Sequence, residues 1–217
     1  LKIRINSLIN SNYVNYFKYS TYITREQFIK SLLTTNNNRK AQVINFNINY
    51  VDDRLAKTLV KIYSKILFDY ITTLENRASI PFHIILEEAH RYVQNDTDTE
   101  ILGYNIFDRI TKEGRKFGIL LGLISQRPSE ISETSISQCS NFLIFKMYHP
   151  KDLNFIKSMV QNIDENTINK IKSLHPGTCM IFGNAFKLPV IVNMDMPNPE
   201  PLSNNCDIVK TWYINKE

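Results

Sequence analysis

The sequence predicts an α/β fold: a mainly parallel sheet flanked by helices, with a helical segment before it and a late antiparallel hairpin. Three observations point there. Apolar runs of strand length alternate with amphipathic stretches of helix length, the pattern of βαβ units. Residues 117–125 are apolar apart from two glycines and the final serine, which suits a strand covered on both faces of a parallel sheet. Two late apolar runs flank Gly183-Asn184, as in a hairpin.

The elements follow in order. Residues 1–35 are rich in Ile, Tyr, Phe and Asn and read as helices. Thr24-Arg25-Glu26-Gln27 has the capping-box pattern and opens a helix through Leu33. Asn36-Asn37-Asn38 interrupts it, and residues 42–48 read as a strand. Asp52 can cap the next helix, in which Leu55, Leu59, Ile62, Ile66 and Ile71 fall near helical spacing. That helix should run to about Glu75. A connector over 76–81 leads to a second strand, Phe82–Leu86. The polar stretch 94–99 reads as a mobile loop. Ile101, Leu102, Ile106 and Ile110 mark another helix, which Gly114 can end in a left-handed conformation. Strands at 117–125 and 141–147, then helices at 151–160 and 166–174, come next. Pro176-Gly177 turns the chain into strands at 178–182 and 188–194. The domain reading is a basic helical segment at 1–40, an α/β core at 41–197 and a Pro- and Asn-rich tail at 198–217. No internal repeat is present.

Composition narrows the class. The chain has 217 residues, 43% of them hydrophobic, enough for one sizeable packed domain and too many for a disordered chain. No apolar run reaches membrane-spanning length, and no signal-peptide pattern opens the chain. Three cysteines without a C-x-x-C fit a reducing cytoplasm and argue against a disulfide scaffold or a zinc ribbon. Cys139 and Cys179 read as small buried hydrophobes. The net charge of +5 is uneven, because residues 1–40 hold seven basic side chains against Glu26 alone. Such a segment can attract nucleic acid, and a solvated helical surface accounts for the same charges.

The chemistry concentrates at Phe82-His83-Ile84-Ile85-Leu86-Glu87-Glu88-Ala89-His90, an apolar strand that stops at two adjacent carboxylates. Nucleotide-hydrolysing sites of the P-loop class present their acids this way. A strand ending in an acid is common in any fold, and helix N-termini also favour Glu. Neighbouring side chains on an extended chain point apart, which disfavours a glycosidase pair flanking one bond. His83 and His90 carry no ligand role at this stage. No G-x-x-x-x-G-K-[ST] occurs, and residues 1–81 contain no glycine to cradle phosphates.

Three ordered motifs sharpen the reading: Ile84-Ile85-Leu86-Glu87-Glu88-Ala89-His90, then Lys112-Glu113-Gly114-Arg115-Lys116-Phe117-Gly118, then Ser125-Gln126-Arg127-Pro128. With Ser137-Gln138-Cys139-Ser140-Asn141 and His175-Pro176-Gly177, they resemble the HerA family, a branch of the HerA/FtsK superfamily of ring-forming DNA translocases. The resemblance spans about residues 41–195 and implies a RecA-like P-loop ATPase core. It implies that Glu87 is the Walker B acid, holding magnesium through water, and that Glu88 is the catalytic base. It implies that Gln126 senses the γ-phosphate or orients the attacking water, and that Arg115 is a finger toward a neighbouring subunit. An exposed basic pair at a helix C-terminus would equally explain Arg115-Lys116. ATP and Mg are the implied cofactors. DNA, a homo-oligomeric ring (a hexamer) and a nuclease or phage-defence effector are the implied partners. The missing phosphate loop leaves two readings, a loop lying upstream in a longer polypeptide or a degenerate relative. Because the chain begins at Leu1 rather than Met and the other motifs are intact, the first is expected, and this stretch alone should be inactive. The alternative is a non-catalytic binding or assembly module that keeps the fold.

Overall fold

The computed structural model describes residues 21–35, 37–94, 104–159, 163–201 and 207–212. The helices expected within 1–20, the loop at 95–99 and the helical positions Ile101 and Leu102 lie outside the described residues. Two compact units emerge, one formed by the residues before Arg127 with Glu130–Ser135, the other by Arg127–Ser129 with the residues after Ser135.

The first unit opens with α1, Arg25–Leu33. Its capping box is complete: the Gln27 N–H donates to Thr24 Oγ1 at 3.2 Å, and the Thr24 N–H donates to Gln27 Oε1 at 2.9 Å. Helix α2, Asp53–Thr72, starts at Asp52, whose carboxylate accepts from the Arg54 and Leu55 N–H groups. It stops three residues before the expected Glu75. Strand β1 is Phe82–Leu86, helix α3 is Ile106–Phe117 and strand β2 is Ile119–Leu123. The strands pair parallel, Phe82 with Ile119 through Leu86 with Leu123. Ala56, Phe68, Ile71, Phe107, Ile110 and Ile119 are almost fully buried in this unit.

Gly114 does not end α3 as expected. The helix runs through it, and Gly118 takes the left-handed cap at φ 82°. Gly114 is small for a different reason. A Cβ there would lie 2.5 Å from Ile119 Cγ2 and 2.6 Å from the Ile119 carbonyl oxygen. The helix therefore crosses the start of β2 in direct backbone contact.

Two strand expectations change. Residues 43–48 join no ladder, and only an isolated bridge between Thr34 and Lys40 forms nearby. The segment instead shares with β1 a pocket of about 440 Å³, lined by Gln42, Ile44 and Phe46 on one side and Phe82–Ile85 on the other. Strand β2 is also not covered on both faces among the described residues. Ile85, Leu120 and Ile124 are each more than half exposed, whereas Ile119 and Leu86 are buried.

Among the described residues the first unit carries the parallel pair and the second an antiparallel sheet of three strands. After α4, Glu133–Ser137, which the first unit shares in part, come β3 (Asn141–Ile144), α5 (Pro150–Met159), α6 (Glu165–Ser173), β4 (Thr178–Gly183) and β5 (Phe186–Asn193). The order is β3-β4-β5, antiparallel throughout. Two helices separate β3 from β4, and the second reverses the chain once more, where a single crossover helix would give a parallel pair. Ile144, Leu153, Ile156, Ile168, Ile171, Met180 and Phe182 form its core. The late hairpin is present as expected, and Pro189 sits in β5, where an edge strand tolerates it. Helix α7, Ile208–Trp212, ends the described chain. No described helix is long and apolar enough to cross a membrane. The α/β class stands, with a parallel pair and an antiparallel sheet.

Gly114→Ala should therefore destabilise the fold by about 1–3 kcal/mol, because an obstructing atom is backbone and cannot rotate away. Urea unfolding of the variant measures this; an unchanged midpoint would contradict the close approach.

Candidate functional site

The site grows from the way β1 ends. The ladder continues one residue beyond β2: the Ile124 N–H donates to the Leu86 carbonyl at 2.9 Å, and the Ala89 N–H donates to the Ile124 carbonyl at 2.8 Å. Both ends of the Glu87–Glu88 dipeptide are thus fastened to one residue, and the two acids stand out as a short loop at the carboxyl end of the strands. Such a tight return needs an unusual backbone. Glu88 supplies it at φ 49°, ψ 45°, in the left-handed region. A non-glycine residue there costs about 1–3 kcal/mol, and strain of this kind collects at functional sites.

The Glu88 carboxylate is held on both oxygens. Gln126 Nε2 donates to Oε1 at 3.0 Å. His90 Nδ1 lies 3.4 Å from Oε2 and 3.0 Å from Ser125 Oγ. His90 sits on a 3₁₀ turn, Ala89–Arg91, that starts at the clamped Ala89. Arg91 ties the turn to the start of α2 by donating from Nε to Asp53 Oδ1 at 3.0 Å, and this bond is the main reason its pKa is raised. Glu87 is exposed.

A second set of bonds braces the segments that follow the acids and Gln126. The Ser132 N–H donates to the Val93 carbonyl at 2.7 Å. The hydroxyls of Ser132 and Ser135, both fully buried residues, donate to Asp108 Oδ1 in the first turn of α3, at 2.9 and 2.6 Å. Asn105, the N-cap of α3, donates from its side chain to the Gln94 carbonyl at 3.2 Å.

Of the residues singled out in sequence, Glu87, Glu88 and Gln126 come together at one sheet edge, where open α/β sheets place their ligands. Arg115 does not join them. It is exposed in the last turn of α3, just before β2 begins, while Gln126 lies just after β2 ends. A five-residue strand, about 16 Å long, separates the two edges. His90, Ser125 and Asp108 were missed as site residues. His90 could have been found in the motif itself; Asp108 gave no signal, because an acid in a helix's first turn is common.

The donor set suits magnesium rather than a metal caged by protein. Among the described residues no group of three or more His, Cys, Asp or Glu can hold a metal ion. Magnesium keeps several waters and takes one or two carboxylates plus phosphate oxygens, and Glu87 offers one such carboxylate in solvent. Cys179 is fully buried, and burial pushes the Cys139 thiol pKa up.

No protein-family model matches the chain. A probable helicase, MJ1565 of Methanocaldococcus jannaschii, is 30% identical over 203 residues, which cover 88% of this chain and 39% of that protein. The DNA double-strand break repair helicase HerA of Sulfolobus acidocaldarius is 34% identical over 137 residues, 63% of this chain and 27% of the helicase. The chain thus spans well under half the length of these relatives. Among solved structures, B204, the DNA-packaging ATPase from Sulfolobus turreted icosahedral virus, superposes with a TM-score of 0.53 at 16% identity, over 86% of this chain and 77% of B204. At that identity the likeness speaks for the fold alone.

Proposed function

We propose that this chain, a HerA-like ATPase in sequence with the fold of a packaging ATPase, is the acid-bearing part of a ring-forming enzyme that couples ATP hydrolysis to translocation or unwinding of DNA. The observation that carries the reading is the Glu88–Gln126 hydrogen bond at the carboxyl edge, beside the exposed Glu87. The similarity to helicases named as acting in DNA repair supports DNA as the partner. A nuclease or a phage-defence effector as a further partner follows from the family resemblance.

The residues divide the work as follows. Glu88 accepts a proton from the attacking water, a role for which its partly exposed carboxylate is accessible and is oriented by Gln126. Gln126 presents amide hydrogens on the same edge and can exchange Glu88 for the water or a phosphate oxygen. Glu87 would hold the hydrated magnesium, which neutralises charge on the phosphates when bound. A phosphate cradle is outside residues 1–81, which lack glycine, so the reading assigns it to another part of the full-length polypeptide. Arg115, exposed in the last turn of α3 and away from its own acids, would serve the nucleotide of a neighbouring subunit, the role the family resemblance implies for it.

Two outcomes test this in the full-length polypeptide. Glu88→Gln should retain ATP binding while losing turnover by at least about a hundredfold, since an amide cannot take the water's proton. Equilibrium binding and phosphate release measure the two properties. Wild-type-like turnover would remove Glu88 from the chemistry, and a wild type that binds no ATP would favour a non-catalytic assembly module.

Arg115→Ala should also lose turnover, by about a thousandfold or more if it acts as a finger. Mixing it with Glu87→Ala subunits, under conditions of subunit exchange, should restore part of the activity, because intact fingers then face intact acids at some interfaces. No recovery in proven mixed rings would confine Arg115 to its own subunit.

A further inference from the structure

We infer that His90 is a positioning residue for Glu88, through an Nδ1 proton shared between the Glu88 carboxylate and the Ser125 hydroxyl. The inference rests on the hydrolytic reading above and adds to it the group that keeps the base aimed. Glu88 needs such a group. Its side chain is 42% exposed, so packing does not fix it, and as the left-handed N-cap of the 3₁₀ turn it makes no capping hydrogen bond with that side chain. Contacts at its two oxygens therefore set its direction. One contact comes from Gln126, an exposed residue whose amide must turn to the water or phosphate during the reaction. Once Gln126 turns, His90 keeps its place at the other oxygen.

His90 is built for that task. Its side chain is only 15% exposed, and its backbone follows directly on Ala89, which is clamped to Ile124. Ser125 follows Ile124 on the other strand. The pair of backbone bonds at Ile124 thus brings the imidazole and the hydroxyl face to face, with Nδ1 3.0 Å from Ser125 Oγ and 3.4 Å from Glu88 Oε2. The chemistry of the partners selects the tautomer. An ionised carboxylate can only accept, whereas a serine hydroxyl can donate or accept as it rotates. A hydrogen on Nδ1 satisfies both partners; a bare Nδ1 would set its lone pair against the carboxylate. The longer contact to Glu88 is one that can tighten as Gln126 leaves, since catalytic hydrogen bonds are often long before substrate binds.

Side-chain geometry provides the test. In His90→Asn the amide nitrogen can occupy the place of Nδ1, while in His90→Gln it reaches the place of Nε2. In the full-length polypeptide, His90→Ala and His90→Gln should lower kcat for ATP hydrolysis by about 10- to 100-fold, the usual effect of removing a partner that orients a reacting group. KM for ATP should stay within about twofold, because the contact acts on the base rather than on nucleotide binding. His90→Asn should recover most of kcat. Should the Ala variant fail to fold, the Asn and Gln variants alone decide. Equal kcat in the Asn and Gln variants, or a raised KM with kcat retained, overturns the inference. Glu88→Gln measured alongside separates the two levels. Turnover that is lost in Glu88→Gln but untouched in His90→Ala and His90→Gln overturns the inference alone. A wild type without turnover overturns the hydrolytic reading and this inference with it.

Discussion

Two backbone hydrogen bonds made by Ile124 organise the carboxyl edge of this protein. One receives the end of β1 at Leu86, the other receives the chain again at Ala89. Between them the chain has room for two residues and a sharp return, and those residues are the carboxylates. Everything else at the site depends on that clamp. The left-handed backbone of Glu88 is the geometric cost of the return. The apposition of His90 with Ser125 is its consequence on the far side. Gln126, two residues beyond Ile124, is carried to the same place by the same ladder. Hydrogen bonds between main chains hold such a loop whatever its side chains are, which leaves the side chains available for chemistry.

The clamp would be of little use if the strands or their following segments could slide. Sliding is resisted on two sides. At the start of β2, α3 lies in contact with the strand because Gly114 has no side chain. Past the end of β2, a buried set of hydroxyls gathers on Asp108, and the Ser132 N–H reaches Val93 in the segment that follows the acids. Buried polar groups satisfied in this way define one arrangement, because any shift leaves a donor or acceptor without a partner. Among the described residues, the opposite face of the parallel pair shows no comparable bracing. Ile85, Leu120 and Ile124 stand more than half exposed there, on strands whose sequence is apolar on both sides.

Much of this was legible in the sequence, and the reasons differ by element. The capping box at Thr24 and the cap at Asp52 are local, so the sequence pattern and the structure coincide. The parallel pairing of Phe82–Leu86 with the strand before Gln126 was legible because both runs are apolar, short and separated by a helix. The joint location of Glu87, Glu88 and Gln126 followed from that pairing. The strand expected at 42–48 was not realised, because strand propensity is expressed only where a partner edge is at hydrogen-bonding distance, and residues 43–48 join no ladder. Gly114 and Gly118 lie four residues apart, and a pattern of glycines cannot say which one caps the helix and which one admits a neighbouring strand. The two helices between β3 and β4 were foreseen, but the pairing of β3 with β4 was not, because a pattern of apolar runs does not say which strand edge a run will join. Asp108 was invisible as a site residue, because an acid in a helix's first turn carries no signal of its own and its partners Ser132 and Ser135 lie far along the chain. His90 stood within the acid motif, and only its partner Ser125 was out of reach of the local pattern.

The central claim is that the clamped acids and Gln126 form a hydrolytic edge. A crystal structure of the full-length polypeptide with magnesium and a non-hydrolysable ATP analogue tests it most directly. The account predicts the γ-phosphate opposite the carboxyl ends of β1 and β2, with Glu87 facing the hydrated metal. Glu88 and Gln126 should converge on one water in line with the terminal phosphate. A nucleotide bound away from that edge, or Glu88 directed away from the phosphate with the Ile124 bonds intact, would contradict it.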